Sequence, residues 1–306
     1  MKKVLFFSLM AILCISNNLA QSTKTVTPNP TNTTSNTKIN PANAVKQLKD
    51  FYFNRDYLGG VGIGKDLVSK FPNEQELQAW YLINLVRVDA PIGIEMARKF
   101  LAEKGENRWT LLALCFAQNY NQSSDAIPTA ENLIKIAPDD EEVIFVYNLT
   151  LYRNSKFTDS DAWLDKNTAK IKDQSRLLVA KALNSYYSGK GNAAKIQQAF
   201  DLFTKAISIN PNSVNANYLY GFQLAVNKRV DEAIPFLRKA QTISPKSLEI
   251  EKTLLETLAK QPGKDESQIL SEIETEINSF VKKYSSVVDD SPNVLSALVD
   301  FYGILK

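Results

Sequence analysis

The chain has 306 residues, a formal charge of +3, two cysteines and no histidine. The missing histidine excludes Ser-His-Asp and Cys-His catalysis, and also His-ligated zinc or haem. Two cysteines are too few for a four-cysteine metal site.

Residues 1–20 read as a secretory signal peptide: Lys2 and Lys3 open it, and an apolar run over 4–15 follows that is short for a bilayer span. Leu13 precedes Cys14, where a lipidation site would want a small residue. Removing Lys2 and Lys3 without any acid lowers the charge from +3 to +1, and a near-neutral chain lacks the field that attracts nucleic acid. No stable membrane insertion is expected after cleavage. The chain is expected to be exported, as a periplasmic, secreted or outer-membrane-associated protein. Cys115 is then the one remaining cysteine, and its apolar surroundings over 111–116 place it in the core. Residues 21–40 are rich in Thr, Asn, Ser and Pro, and bury too little apolar surface to offset their chain entropy. They read as a disordered tether before a helical domain over 41–306.

From Pro41 onward apolar residues recur at three and four, without the alternation of strands. The spacing predicts helices over 42–54, 57–70, 74–88, 91–104, 107–119, 124–136, 140–153, 158–171, 175–188, 194–209, 213–226, 230–243, 246–260, 265–284 and 292–304. Short connections make neighbours antiparallel. Asn73 with Glu76, and Asp139 with Glu142, have the spacing of an N-cap and its reciprocal partner.

The segment Gly59-Gly-Val-Gly-Ile-Gly-Lys65-Asp66 fits the G-x-x-x-x-G-K part of a phosphate-binding loop. Asp66 stands where the magnesium-binding Ser or Thr belongs, and no strand-like residues precede the loop. Gly60 and Gly64 lie twelve and eight residues before Pro72, as Ala126 and Ala130 do before Pro138. They are therefore read as close-packing positions on one helix face. Gly62 has no such role, so this helix is expected to begin late or kink.

An internal echo carries the fold. Ala199, Lys205, Ala206, Ile209 and Pro211 recur 34 residues later as Ala233, Lys239, Ala240, Ile243 and Pro245. Small residues let two helices approach, a large residue four later fills the gap, and proline ends the unit. Residues 195–245 thus resemble the tetratricopeptide repeat, with its A-x-x-x-F-x-x-A-x-x-x-x-P ending. Over 41–190 a helix-hairpin rhythm persists with degenerate letters. The resemblance implies an all-α, right-handed solenoid of antiparallel helix hairpins. A stripe of Ile269, Leu270, Ile273, Ile277, Phe280, Val281 and Tyr284, beside Glu272, Glu274 and Glu276, suits a terminal capping helix.

Such a fold has no built-in chemistry, and no catalytic residue, cofactor or metal site is expected. The resemblance implies a groove lined by first helices that holds a protein or peptide partner. Asn215, Tyr218 and Phe222 are the expected groove positions, with Lys181 and Ser185 beside them. Some family members clamp a C-terminal carboxylate with Lys and Asn, but Tyr218 and Phe222 occupy two of those positions, so that activity is not carried over. Two alternatives remain open. Trp80, Trp109 and Trp163 could serve a glycan-binding protein of the envelope. Acids such as Asp139, Asp140, Glu141 and Glu142 could serve a glycoside hydrolase on a helical toroid, although at a helix start they complement the dipole. Asp159, Asp161 and Asp165 lack the glycine turn and final Glu of a calcium loop.

Overall fold

A computed structural model of the chain describes residues 39–189 and 191–284, together with Ser296, Val299, Asp300 and Gly303. The described residues contain α-helices, one short 3-10 turn and no strand. The helices are α1 (Pro41–Phe53), α2 (Tyr57–Lys70), α3 (Gln75–Val88), α4 (Ala90–Lys104), α5 (Arg108–Tyr120), α6 (Ala126–Ile136) and α7 (Glu141–Arg153). They continue as α8 (Phe157–Asn167), α9 (Gln174–Ser188), α10 (Ala193–Ile209), α11 (Val214–Val226), α12 (Val230–Ile243), α13 (Leu248–Leu258) and α14 (Glu266–Tyr284). The helix expected over 292–304 and the segment 1–38 lie largely or wholly outside the described residues.

Consecutive helices pair into hairpins, and first helices pack on one another, α1 on α3, α3 on α5, α5 on α7, α9 on α11 and α11 on α13, while α9 joins the preceding hairpin through α8. Each hairpin covers its neighbour's apolar face, which is how a solenoid builds a continuous core. One cluster, including Leu48, Trp80, Leu112 and Leu133, serves the N-terminal hairpins. Another, including Phe203, Leu224, Leu237 and Phe280, serves the C-terminal ones. Between them Ile144, Phe145, Leu164 and Leu177 bridge α7, α8 and α9. There the helix expected over 158–171 stops at Asn167, and a 3-10 turn over Thr168–Lys170 leads to α9. Pro211 and Pro245 both lie between helices, where the repeat logic puts them.

Buried amide and hydroxyl groups tie the stack across hairpins. Asn84 Nδ2 donates to the Leu48 carbonyl at 3.0 Å, joining α3 to α1. Asn119 Nδ2 donates to Thr150 Oγ1 at 2.8 Å, joining α5 to α7. Asn184 Nδ2 donates to Ser160 Oγ at 2.9 Å, joining α9 to α8. Pairing these donor groups avoids the penalty of burying them bare, and it ties neighbouring hairpins together.

The glycine segment is helix, starting at Tyr57 with Asp56 as N-cap. The expected late start does not occur, because Asp56 accepts from the Gly59 N–H at 3.0 Å and secures the first turn. A Cβ on Gly60 would sit 2.6 Å from Asn84 Oδ1, and one on Gly64 would sit 2.5 Å from Tyr81 Cδ2. Both are close-packing positions. The caps also shift by one residue. Asp140, not Asp139, accepts from the Val143 N–H, at 3.1 Å. The α3 cap position is Glu74, without a side-chain bond, so Asn73 plays no such part. On α14, Ile273, Ile277 and Phe280 are buried as expected. Two of its acids turn inward rather than outward, because Arg238 on α12 bonds both Glu272 and Glu276 at 2.7 Å.

Four hairpin turns share one construction. Asn54, Asn121, Asn154 and Asn227 cap α1, α5, α7 and α11. Each is followed by a residue with positive φ: Arg55 at 58°, Gln122 at 52°, Ser155 at 58° and Lys228 at 63°. This left-handed residue is the ordinary way to stop a helix and satisfy its last carbonyls. Gln122, Ser155 and Lys228 are solvent-exposed, whereas Arg55 is turned inward.

Candidate functional site

The first hairpin's turn reaches across the solenoid. Tyr52 and Phe53, at the end of α1, lie 5.6 and 5.8 Å from the Trp80 ring on α3. Tyr52 lies 5.6 Å from Phe116 on α5. The Arg176 guanidinium on α9 lies 4.9 Å from the Phe53 ring and 3.9 Å from Phe145 on α7. It is held by Glu142 through bonds of 2.9 and 3.0 Å. Leu58 packs against the C-terminal core. First helices from both halves of the stack thus converge on residues 52–58, which occupy the inner wall.

Arg55 is the centre of this contact. Its Nε donates to Asn215 Oδ1 at 2.8 Å, and its Nη1 donates to Glu249 Oε2 at 2.6 Å. Its guanidinium carbon lies 4.3 Å from the centre of the Tyr218 ring. One residue earlier, the Asn54 carbonyl accepts from Ser244 Oγ at 2.5 Å. Arg87 on α3 donates to the same Glu249 oxygen at 3.2 Å. Its guanidinium carbon lies 4.6 Å from the Tyr57 ring and 5.1 Å from Tyr120. Tyr218 Oη and Thr253 Oγ1 share a hydrogen bond of 3.2 Å, which ties the platform to α13.

The electrostatics follow from the packing. Burial alone would raise the Glu249 pKa, but Arg55 and Arg87 outweigh it and hold the carboxyl below its ordinary range. Burial pushes the Tyr57 phenol up to about 12, against the pull of Arg87 and Arg55. All these groups keep their ordinary charge at neutral pH, so the cluster sets two arginines on one glutamate. Nothing in this arrangement is a nucleophile paired with a base.

Of the residues expected to line a groove, the structure brings Asn215 and Tyr218 together, and Phe222 lies beside them with its ring 6.3 Å from that of Tyr218. Asn215 and Tyr218 are engaged by the chain's own turn. Lys181 and Ser185 lie elsewhere. They line a separate cleft of about 320 Å³ with Asp161, Asp165, Lys195 and Gln198. Lys181 pairs with Asp165, and Ser185 Oγ donates to the Lys195 carbonyl at 3.0 Å. Arg55, Arg87, Ser244 and Glu249 are absent from the sequence-based set. Only the repeated Asn-x turn could have pointed to Arg55, and it does not say that this turn faces inward.

The other candidates are accounted for by structure. Cys115 is fully buried, within 3.5 Å of Thr150 Oγ1, and burial pushes its thiol up to about 12. Glu141 accepts from the Lys172 and Asp173 N–H groups at 3.1 and 2.8 Å, and Asp139 pairs with Lys170 at 2.8 Å. Asp161 accepts from Asn184 at 2.8 Å. Trp80 is fully buried, and Arg108 covers Trp109 at 3.9 Å. Trp163 donates to the Ile144 carbonyl at 3.0 Å and meets Tyr147 at 4.7 Å. Among the described residues no helix is long and apolar enough to cross a membrane.

Stacked helical hairpins with an inner wall of first helices define the class: an α-helical repeat solenoid. Residues 202–234 match the family model described as tetratricopeptide repeat. No curated protein matches the sequence at a significant level. One similar solved structure is the APC/C hetero-tetramer Cut9-Hcn1, with 10% identity and a TM-score of 0.56 over 85% of this chain. This chain spans about half of it, 48%. Another is a tetratricopeptide repeat protein from Parabacteroides merdae, with 14% identity, a TM-score of 0.50, and coverage of 85% of this chain and 98% of that one. Human IFIT1 with m7Gppp-AAAA aligns at 14% identity and a TM-score of 0.46, over 88% of this chain and 65% of that one. At 10% and 14% identity, the likeness to the first two is one of fold.

Proposed function

We propose that this chain is an exported adaptor of a bacterial cell envelope, which holds a partner protein or peptide on its inner wall. One observation carries the reading: that wall already grips polypeptide. Ser244 reads a main-chain carbonyl, Asn215 and Glu249 read a side chain, and Tyr218 supplies a flat apolar platform. Aromatic and amide groups arranged so are suited to extended or turn segments of a partner. The basic start and apolar run of residues 1–20 support export, and the near-neutral charge that remains argues against nucleic acid as the ligand. Three tryptophans with their faces or edges already used, and four acids tied into helix starts, give no support to a glycan or hydrolase reading.

The test is capture from envelope extract by the full chain, against the same chain carrying Tyr218→Ala and Phe222→Ala. A specific protein identified by mass spectrometry should be retained by the first and lost by the second, with helical content unchanged. Equal retention of every partner by both would show that the inner wall is not the binding surface.

A further inference from the structure

We propose that the inner wall carries an arginine-reading subsite, latched by the chain's own Arg55, and that the partner is a protein segment presenting an arginine in an open turn. This rests on the adaptor reading and names the chemistry its partner must have.

The subsite has every element that a guanidinium needs. Two acceptors, Asn215 Oδ1 at 2.8 Å and Glu249 Oε2 at 2.6 Å, meet different nitrogens of the fork. An aromatic face lies 4.3 Å from the guanidinium carbon, within reach of a cation–π contact. A hydroxyl donor, Ser244 Oγ, takes the carbonyl of the residue before the arginine. A planar fork with two acceptors and a ring beneath it selects arginine over lysine, whose point charge cannot fill both acceptors and stack. The groups come from α11, the α12–α13 turn and α13, so they are held by the C-terminal hairpins and would persist if the first hairpin moved away.

Two observations mark the occupant as a latch rather than ordinary packing. First, the contacts span 160 to 194 residues and join the first hairpin's turn to helices far along the stack, beyond the neighbouring hairpin that a solenoid unit ordinarily meets. Second, the same Asn-x turn recurs at Gln122, Ser155 and Lys228, where the left-handed residue points to solvent. The inward arginine is an addition to the turn, not a requirement of it. A solenoid flexes by small rotations between repeats, so the latch can open without unfolding a hairpin. A partner's arginine then competes with Arg55 for one site, and the self-contact reduces the apparent affinity by the fraction of molecules held closed.

The test uses the full chain and a fluorescein-labelled peptide of its own residues 50–60 (DFYFNRDYLGG), read by anisotropy. Arg55→Ala protein should bind this peptide at least tenfold more tightly than wild type. Replacing the peptide's arginine by alanine or lysine should remove that gain, as should Glu249→Gln added to Arg55→Ala. Should the alanine variant lose helical content, Arg55→Lys serves in its place, with the same direction and a smaller gain. Equal binding by wild type and latch variant, or equal binding of the arginine and lysine peptides, would overturn the proposal. So would light scattering that shows wild type to be a dimer exchanging Arg55 turns, since the occupant would then be a second copy. Envelope capture that succeeds while the peptide fails sinks the arginine subsite alone. Peptide binding without any loss of captured protein in the Tyr218→Ala plus Phe222→Ala chain sinks the adaptor reading instead.

Discussion

Single methyl groups added along α2 should change stability in opposite directions. At Gly62 an added Cβ meets nothing within 4 Å. Alanine there gains the helix propensity that glycine lacks, so Gly62→Ala should stabilise by about 1 kcal/mol. At Gly60 the same methyl sits 2.6 Å from Asn84 Oδ1 and 2.7 Å from its Cγ. Asn84 is fully buried and tied to the Trp80 and Leu48 carbonyls at 2.8 and 3.0 Å. It cannot withdraw without stranding a buried amide, at about 1–3 kcal/mol. Set against the same propensity gain, Gly60→Ala should be a net loss of up to about 2 kcal/mol. Gly64 is intermediate: its Cβ meets Tyr81 Cδ2 at 2.5 Å, on a half-buried ring that can swing aside. Urea unfolding followed by circular dichroism ranks the three, and hydrogen exchange over residues 41–70 guards against local opening of the first hairpin. The packing argument fails if Gly60→Ala is as stable as Gly62→Ala, or if Gly62→Ala is less stable than wild type.

Other outcomes follow from the same geometry. An Arg55→Ala and Glu249→Gln double-mutant cycle should give a coupling of about 1.5–3 kcal/mol, toward the low end because Arg87 still faces the acid. Glu249 has a folded pKa below its unfolded one, so its contribution is complete above the unfolded value of about 4.3 and fades as pH falls through the folded value. Exchange protection of the turn at residues 54–56 should accordingly drop below about pH 4, and Glu249→Gln should flatten that profile. Asp140→Ala should cost about 1 kcal/mol by removing the α7 cap, whereas Asp139→Ala should stay within about 0.5 kcal/mol in thermal melts. Iodoacetamide at pH 8 should leave Cys115 unmodified in the folded chain and alkylate it in urea, as read by peptide mass spectrometry.

Local and repeating features were legible in the sequence, and features that depend on the curve of the whole stack were not. Pro211 and Pro245 mark unit ends because proline cannot continue a helix, wherever the unit sits. Gly60 and Gly64 reveal close packing because their spacing repeats that of Ala126 and Ala130. Cap positions slip by one residue because Asp139 and Asp140 are chemically equivalent, and the backbone chooses between them. The repeat register singles out Asn215 and Tyr218, and the structure brings both against Arg55. Lys181 and Ser185 line a separate cleft with Asp161, Asp165, Lys195 and Gln198. The pairing of Arg55 with Glu249 has no periodicity to betray it. It depends on small rotations accumulated between hairpins, which no sequence window contains.

That pairing also fixes how many hairpins can stand between the two groups it joins. Open helical arrays gain or lose a unit with little penalty, since each added hairpin finds the same kind of neighbour. In this chain, inserting or deleting one hairpin between residues 60 and 210 would carry Asn215, Ser244 and Glu249 away from the arginine they meet, even if every remaining interface stayed intact. The stretch between them is therefore set like the circumference of a clasped bracelet, by the need for the clasp to close.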